Sequence, residues 1–329
     1  MLMTNKMHPE EISIGVVGIG LMGSSIAVAL LVSGHPVVAI TPLSEELKEA
    51  PQRIKQQLLH CDEAGLLCHP VGHYLKKLTV SDNYNYLDCC RIVLECVIEQ
   101  PKIKKEVYAK ISSAVSSTTI IASNTSAIPI SILQNYVPCP ERFLGIHWAE
   151  PAYMTRFLEI TCGDQTQIRY ADWVYEVAHF WGKEPTLLKK DIRGFVTNRL
   201  MYAVYREALS LADRGVATIE DMDKAFRYDA GSWMTLMGVF RRMDYMGLEN
   251  MLETLKNILP QLDNSESVPL MMQRMIDMQA KGTQTGQGFY EYNSCEGQEW
   301  QAAFACFNKD IDRLAEKYPS KKFVANKDL

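Results

Sequence analysis

The 329-residue sequence predicts an α/β fold: a doubly wound sheet domain followed by an all-α domain. Three observations predict it. A strand-like run from Ile12 passes through the glycine-rich Gly18-Ile-Gly20-Leu-Met-Gly23 into an apolar helix. Short β-branched runs then alternate with helical stretches as far as Lys190. Beyond Lys190 the strand signal fades and apolar residues recur at helical spacing.

The first strand, Ile12-Ser-Ile-Gly-Val-Val-Gly18, runs into GIGLMG and then SSIAVALLVSG. Glycines are needed where the chain turns tightly, where backbone approaches a pyrophosphate and where helix packs on strand. The helix start offers free N–H groups and a favourable dipole to an anion. Strand before and helix after make this a dinucleotide fingerprint. A Rossmann-type domain with Gly18, Gly20, Leu21, Met22 and Gly23 around the cofactor phosphates is therefore expected.

The second strand, His35–Thr41, ends without the acid that usually binds the adenine ribose. Thr41 stands there, followed by Pro42, and no arginine follows closely to receive a 2′-phosphate. NAD is the expected cofactor, with weakened ribose recognition. A long helix is predicted over 44–65, with a break or kink at Pro51. Further strands are expected around 78–80, 91–97, 118–122, 143–147 and 157–161 in a largely parallel sheet.

In the second half, NRLMYAVYREALSLADRG reads as a helix with a glycine stop. Thr218, three residues before Asp221, gives a variant capping box. Helices are predicted across 234–260 and 266–281, a turn at TQTGQGFYEYNS, and a terminal amphipathic helix. The resulting division is a nucleotide-binding domain over 1–190, a helical domain over 191–295 and a helical extension over 296–329.

Composition narrows the function classes. A hydrophobic content of 47% with 22% charged residues is ordinary for a globular enzyme. A net charge of −5 provides no basic footprint for nucleic acid. Nine cysteines, an odd number irregularly placed, suggest a reducing compartment rather than a disulfide framework. The opening MLMTNKMHPEEIS has no apolar signal core, and no run approaches membrane-spanning length. A cytoplasmic location with no membrane partner is expected. Cys61, Cys68, His69 and His73 fit no common zinc spacing, so no metal is expected.

Two adjoining stretches carry the chemistry. IIASNTSAIPIS and RFLGIHWAEPAYMTRFLEITCG place Ser126, His147 and Glu159 at or near the ends of short apolar runs, and DIRGFVTNRL adds Asn198 near a helix start. A histidine, a carboxylate to orient it, and hydroxyl and amide groups for a substrate oxygen form a proton-transfer set. Beside a dinucleotide fingerprint, that set points to alcohol/ketone oxidoreduction.

GIGLMG, LECVIEQPKIKKEV, ASNTSAIPI, GIHW-EP with FLEI, GFVTNRL-EA and TGQGFY occur in one order from about Ile12 to Tyr292. In these motifs the chain resembles the L-3-hydroxyacyl-CoA dehydrogenase superfamily. The resemblance implies a dimer built through the helical domain. It makes His147 the base, Glu159 its partner, Ser126 the contact to substrate and nicotinamide, and Asn198 the holder of the reacting oxygen. Glu99 and Lys104 match a pair on the nicotinamide-ribose side.

The sequence departs from that pattern at binding positions. Thr41 replaces the ribose acid. Glu150 replaces an asparagine and puts a possible negative charge beside the nicotinamide. Gln284 replaces a cation, and the CoA-contact positions fall at about Gln57 and Ala64. Lys48, Arg53 and Lys55 remain as possible CoA contacts. GSWMTLMGVFRRMDYMGL and the terminal helix resemble lambda-crystallin-like and carnitine-type relatives, which oxidise free hydroxy acids. The expected substrate is a short-chain 3-hydroxyacyl-CoA. A first alternative is a free 3-hydroxy acid, its carboxylate met by Arg156, Arg193, Arg241 or Arg242. Another class, a weakly catalytic cofactor-binding or structural protein, is motivated by Thr41, Glu150 and Gln284.

Overall fold

A computed structural model describes residues 8–318. Residues 1–7, which begin the opening read for a signal core, and 319–329, the end of the predicted extension, lie outside the described residues. The chain divides into two compact units, Met1–Thr197 and Asn198–Leu329.

The first unit carries strands β1 (Ile14–Val17), β2 (Val37–Ile40), β3 (Leu78–Ser81), β4 (Ile92–Glu95), β5 (Ile120–Ser123), β6 (Phe143–Trp148), β7 (Phe157–Cys162) and β8 (Glu184–Leu188). They form one sheet in the order β3-β2-β1-β4-β5-β6-β7-β8. Every pair is parallel except β6–β7, which is antiparallel. Its helices are α1 (Leu21–Val32), α2 (Ser44–Glu63), α3 (Val71–Leu75), α4 (Pro101–Ala114), α5 (Ile130–Leu133) and α6 (Ile168–Ala178).

All residues of β1, β2, β4 and β5 are buried, and these strands read as apolar runs, β4 and β5 ending in the polar Glu95 and Ser123. The two-residue period divides them between two cores. Ile14, Val16, Ile92, Leu94, Ile120, Ala122, Leu144 and Ile146 pack with Ile26, Leu30, Ile54 and Val174 on one face. Val17, Val93, Ile121 and Phe143 pack with Tyr108, Ile111, Ile130 and Leu133 on the other. The sheet is thus covered by helices on both sides, and its strand ends remain to build a site.

Two details of the first unit differ from expectation. Helix α2 runs through Pro51 without interruption to Glu63. The proline removes one backbone donor, but the buried stripe Ala50, Ile54, Leu58 and Cys61 holds the helix in the core on either side of it. Strand β8 had no forecast, because Glu184 and Pro185 obscure it. It is an edge strand, where a proline costs no ladder bond on the open side.

In the second unit, α7 (Phe195–Asp213), whose first residues belong to the first unit, leads to α8 (Ile219–Ala225), α9 (Gly231–Met237), α10 (Val239–Met246), α11 (Leu248–Ile258), α12 (Leu270–Asp277) and α13 (Glu296–Lys317). Thr218 caps α8, its hydroxyl accepting the Asp221 N–H at 3.1 Å. The helices expected across 234–260 are separated at Gly238 (φ +77°) and Gly247 (φ +86°). Glycine adopts these left-handed angles without the penalty other residues meet, and each ends one helix as the next begins. Among the described residues of this unit only Ala280 and Ala305 are buried.

Candidate active site

The glycine turn between β1 and α1 is shaped by contacts that exclude side chains. Gly18 has φ +91°, and a Cβ on Gly23 would lie 1.9 Å from the Gly18 carbonyl oxygen. Gly20, by contrast, faces open space, with nothing within 4 Å of where its Cβ would be. It caps α1 without a side-chain partner, so the first N–H groups of Leu21 and Met22 stay available. Open space over an uncapped helix start fits a dinucleotide pyrophosphate.

Thr41 follows directly on β2, buried, and its hydroxyl accepts the Leu43 N–H at 3.3 Å. The residue in the ribose-acid position is therefore occupied with its own turn. Arg53, considered above as a CoA contact, instead reaches back to this region. Its guanidinium donates to the Ile19 carbonyl at 2.6 Å and pairs with Glu46 at 3.0 Å and Glu49 at 3.5 Å. Arg53 thereby braces the glycine turn, and its charge is matched locally.

His147 and Glu159 face one another because β6 and β7 are antiparallel and in register at that pair. His147 Nδ1 lies 3.1 Å from Glu159 Oε2, and Nε2 lies 3.0 Å from Ser126 Oγ. With Nδ1–H donating to the carboxylate, Nε2 presents its lone pair towards the serine. The other oxygen of Glu159 accepts from the N–H groups of Val196 (3.2 Å) and Thr197 (2.9 Å) and from the Thr197 hydroxyl (3.1 Å). Gly194 (φ +79°) and Phe195 (φ +50°) turn the chain so that the first N–H groups of α7 meet this carboxylate. For Phe195 that angle is costly, on the order of 1–2 kcal/mol.

Burial pushes the Glu159 carboxyl up, but the hydrogen bonds from His147 and Thr197 and the His147 charge outweigh it and hold the group below its ordinary value. The imidazole is bordered by Phe157, edge-on at 5.3 Å, and Phe195 at 5.8 Å. A histidine so fixed can take a proton at Nε2 while Glu159 stabilises the resulting charge.

Glu99 and Lys104 also come together, in a network the sequence reading did not foresee. Its centre is Glu95, fully buried at the end of β4. One oxygen accepts the Val97 N–H and the Lys104 ammonium, both at 2.8 Å. The second accepts Lys104 at 3.0 Å, the Tyr108 hydroxyl at 2.7 Å and the Ser123 hydroxyl at 2.8 Å. Lys104 also pairs with Glu99 at 3.1 Å, and Glu99 accepts the Thr125 hydroxyl. Desolvation opposes the charge on Lys104, but Glu95 and Glu99 more than offset it and raise its pKa. The Lys104 side chain has no exposed surface, whereas that of Glu99 is 38% exposed. Glu99 is therefore the exposed member of the pair. An acid at the end of an otherwise apolar strand, nine residues before a lysine, was the available signal for Glu95.

Glu150 lies in the loop after β6, before a cis bond to Pro151. Ser25 in α1 accepts the Ala152 N–H at 2.7 Å and holds this loop. Burial raises the Glu150 carboxyl to about 7, against a smaller opposing effect of its Ser25 hydrogen bond, and one of its oxygens is buried without a partner. The negative charge expected from sequence is thus only partial at neutral pH. Asn198 lies in the first turn of α7, next to Thr197. Of the arginines proposed for a substrate carboxylate, Arg156 pairs with Glu184 at 2.5 Å. Arg242 lies over the Trp233 ring at 4.2 Å and the Tyr245 ring at 5.6 Å. Among the described residues no group of three or more His, Cys, Asp or Glu is arranged to hold a metal.

Residues 13–192 match the model of the 3-hydroxyacyl-CoA dehydrogenase NAD-binding domain, and 194–292 match that of the C-terminal domain. The chain is 30% identical over 306 residues to 5-formyl-3-hydroxy-2-methylpyridine 4-carboxylate 5-dehydrogenase of Mesorhizobium japonicum, covering 92% of this chain and 98% of the relative. It is 29% identical to a 3-hydroxybutyryl-CoA dehydrogenase of Mycobacterium tuberculosis, covering 85% and 98%. A crystal structure of a 5-formyl-3-hydroxy-2-methylpyridine 4-carboxylic acid 5-dehydrogenase, described as an NAD+-dependent dismutase, superposes with a TM-score of 0.83 at 29% identity, covering 92% and 98%. A crystal structure of (S)-3-hydroxybutyryl-CoA dehydrogenase from Ralstonia eutropha gives 0.72 at 27% identity, covering 85% and 99%. With both domain models matched in order, the chain belongs to the 3-hydroxyacyl-CoA dehydrogenase family and is an NAD-dependent oxidoreductase.

Proposed function

We propose that this enzyme interconverts a hydroxyl and a carbonyl group, with His147 as the acid–base residue oriented by Glu159. The observation that carries the reading is the line Ser126–His147–Glu159, closed by the first N–H groups of α7. In the oxidative direction His147 Nε2 takes the hydroxyl proton, and Glu159 stabilises the imidazolium. Ser126 and Asn198 are assigned to the substrate oxygen. NAD, when bound, supplies the hydride acceptor. The turn formed by Gly18, Gly20, Leu21, Met22 and Gly23 would hold its pyrophosphate, and Glu99, Ser126 and Glu150 would border its nicotinamide end.

For the substrate, a small free carboxylic acid is favoured over the short-chain 3-hydroxyacyl-CoA that the motifs suggest. The specific observation is that Arg53 is engaged with Glu46, Glu49 and Ile19, which leaves Lys48 and Lys55 as the cations of that helix beside Gln57 and Ala64 at the CoA-contact positions. Two facts support it: the pyridine-carboxylate relative matches 92% of this chain against 85% for the 3-hydroxybutyryl-CoA enzymes, and its structure is more similar than that of the Ralstonia eutropha enzyme. The thioester remains the alternative, favoured by TGQGFY. The test follows NADH oxidation with acetoacetyl-CoA, acetoacetate and an aromatic carboxylate bearing an aldehyde, at matched concentrations, with NADPH as control. Turnover of a free acid alone supports the reading, and turnover of the thioester alone overturns its substrate half. A protein that binds NADH but turns over none of them overturns both substrate readings and calls for a wider hydroxy-acid panel.

A homodimer formed through the second unit is part of the same reading. With Ala280 and Ala305 alone buried there among the described residues, Phe240 (82% exposed) and Leu248 (62%) need a cover that a second copy supplies. Light scattering on the purified chain tests it, a monomer being the contrary result. A cytoplasmic location is proposed from the nine free cysteines. Among the described residues no helix is long and apolar enough to cross a membrane.

A further inference from the structure

We propose that Glu95 is a positioning residue that sets Ser126 against His147 from within the sheet. The inference rests on the proton-transfer line proposed for those two residues. Glu95 ends β4, beside β1, where the strand order reverses, and such switch points open the crevice at the carboxyl ends of parallel strands. Two connections run from its carboxylate into the turn that follows β5.

The first is direct: Ser123 Oγ–H donates to Glu95 Oε2 at 2.8 Å. The second passes through Lys104, which bridges Glu95 and Glu99, to Thr125, whose hydroxyl donates to Glu99. Thr125 Oγ1 in turn accepts the N–H groups of Ala127 (3.4 Å) and Ile128 (3.1 Å). The turn is thus held immediately before and after Ser126. Between the two anchors, Asn124 Oδ1 accepts the Trp148 N–H at 3.1 Å, which fixes the end of β6 next to His147. Ser123, Thr125, Lys104 and Tyr108 are buried, whereas Ser126 is exposed. The exposed hydroxyl therefore takes its place from a rigid layer beneath it.

Tyr108 Oη completes the shell around Glu95 at 2.7 Å, and burial followed by the Glu95 charge keeps its phenol protonated as a donor. A carboxylate held by five hydrogen bonds from four donor groups in a dry site has one preferred geometry, and losing its charge loosens every connection at once.

The test uses the full chain labelled with ¹³C at histidine Cε1 and reads the His147 resonance by NMR, assigned with His147→Gln. The variants are Ser126→Ala, Glu95→Gln and the double variant. Glu95→Gln should shift the resonance in the direction that Ser126→Ala shifts it, and adding Glu95→Gln to Ser126→Ala should shift it little further. An unmoved resonance in Glu95→Gln, or shifts that simply add in the double variant, would overturn the proposal. Tyr108→Phe, which removes one donor and no charge, serves if Glu95→Gln fails to fold. It should give a smaller shift of the same sign, and no shift there overturns the proposal equally. A resonance indifferent to Ser126→Ala would instead remove the Ser126–His147 contact on which the functional reading stands.

Discussion

Replacing Glu150 by glutamine should make the enzyme more stable, and more so as pH rises. The Glu150 carboxyl is pushed up to about 7 from an ordinary 4.5, first by burial, with Ser25 giving a smaller opposing effect. Between those values the folded protein holds a proton that the unfolded chain releases, so stability falls as pH rises through the window. Above about 7 the loss is complete, because a charged carboxylate is then held where one oxygen has no partner. At ~1.36 kcal/mol per pH unit the gap corresponds to ~3 kcal/mol at most. Partial solvation and the desolvation of the replacing amide reduce this to an expected gain of ~1–3 kcal/mol for Glu150→Gln near pH 8. Urea unfolding of both proteins at about pH 5 and about pH 8 measures it. The difference between them should be small at the lower pH and reach its full value at the higher. A difference equal at both would refute the assignment of a raised carboxyl to Glu150.

His147→Gln should lower turnover by ~10²–10⁴-fold with NADH affinity nearly unchanged, read by steady-state kinetics and fluorescence titration. A variant that turns over normally would show that another group moves the proton. Thr41→Asp should tighten NADH binding by restoring a ribose acceptor, and an unaltered dissociation constant would show the position to be uninvolved. Gly20→Ala and Gly23→Ala should part company: a Cβ at Gly20 has room in the protein but intrudes on the pyrophosphate, whereas one at Gly23 strikes the Gly18 carbonyl. The first should weaken NADH binding with little change in melting temperature, and the second should lower the melting temperature itself; identical behaviour would contradict the turn geometry. Thr197→Val removes one donor to Glu159, whose carboxyl is held below its ordinary value despite burial. The stability owed to that low value is present above the unfolded pKa and lost as pH falls through the folded one. Thr197→Val should therefore cost more at neutral pH than in acid, a contrast that urea titrations at the two conditions either show or deny.

Much of this molecule is legible in one dimension because its signals are local. The glycine turn is written as glycines, since Gly18 and Gly23 occupy positions where a side chain meets backbone. The buried strands are written as apolar runs, and Thr218 marks its helix start three residues before Asp221. His147 and Glu159 stand out as polar residues in apolar strands. Where the local signal is mixed, the reading falters: Pro51 does not break α2 because core packing on both sides outweighs one lost donor. Glu184 and Pro185 hide a strand that exists because β7 offers it an edge.

By itself, then, the sequence determined the two-domain plan, the nicotinamide cofactor and the residue types of a proton-transfer set, all of which depend on short-range pattern and family-wide motifs. Only the tertiary structure decided how those residues are held. The single antiparallel pairing in the sheet brings His147 opposite Glu159, and the left-handed step at Gly194 and Phe195 delivers the first N–H groups of α7 to the same carboxylate. It also turned Arg53 to the glycine loop, buried Lys104 against Glu95 and raised the Glu150 carboxyl to about 7. The physical reason is common to all of these. Charge, hydrogen bonding and desolvation act through space over a few ångströms, between residues from nine to more than a hundred positions apart, and folding alone brings them within reach.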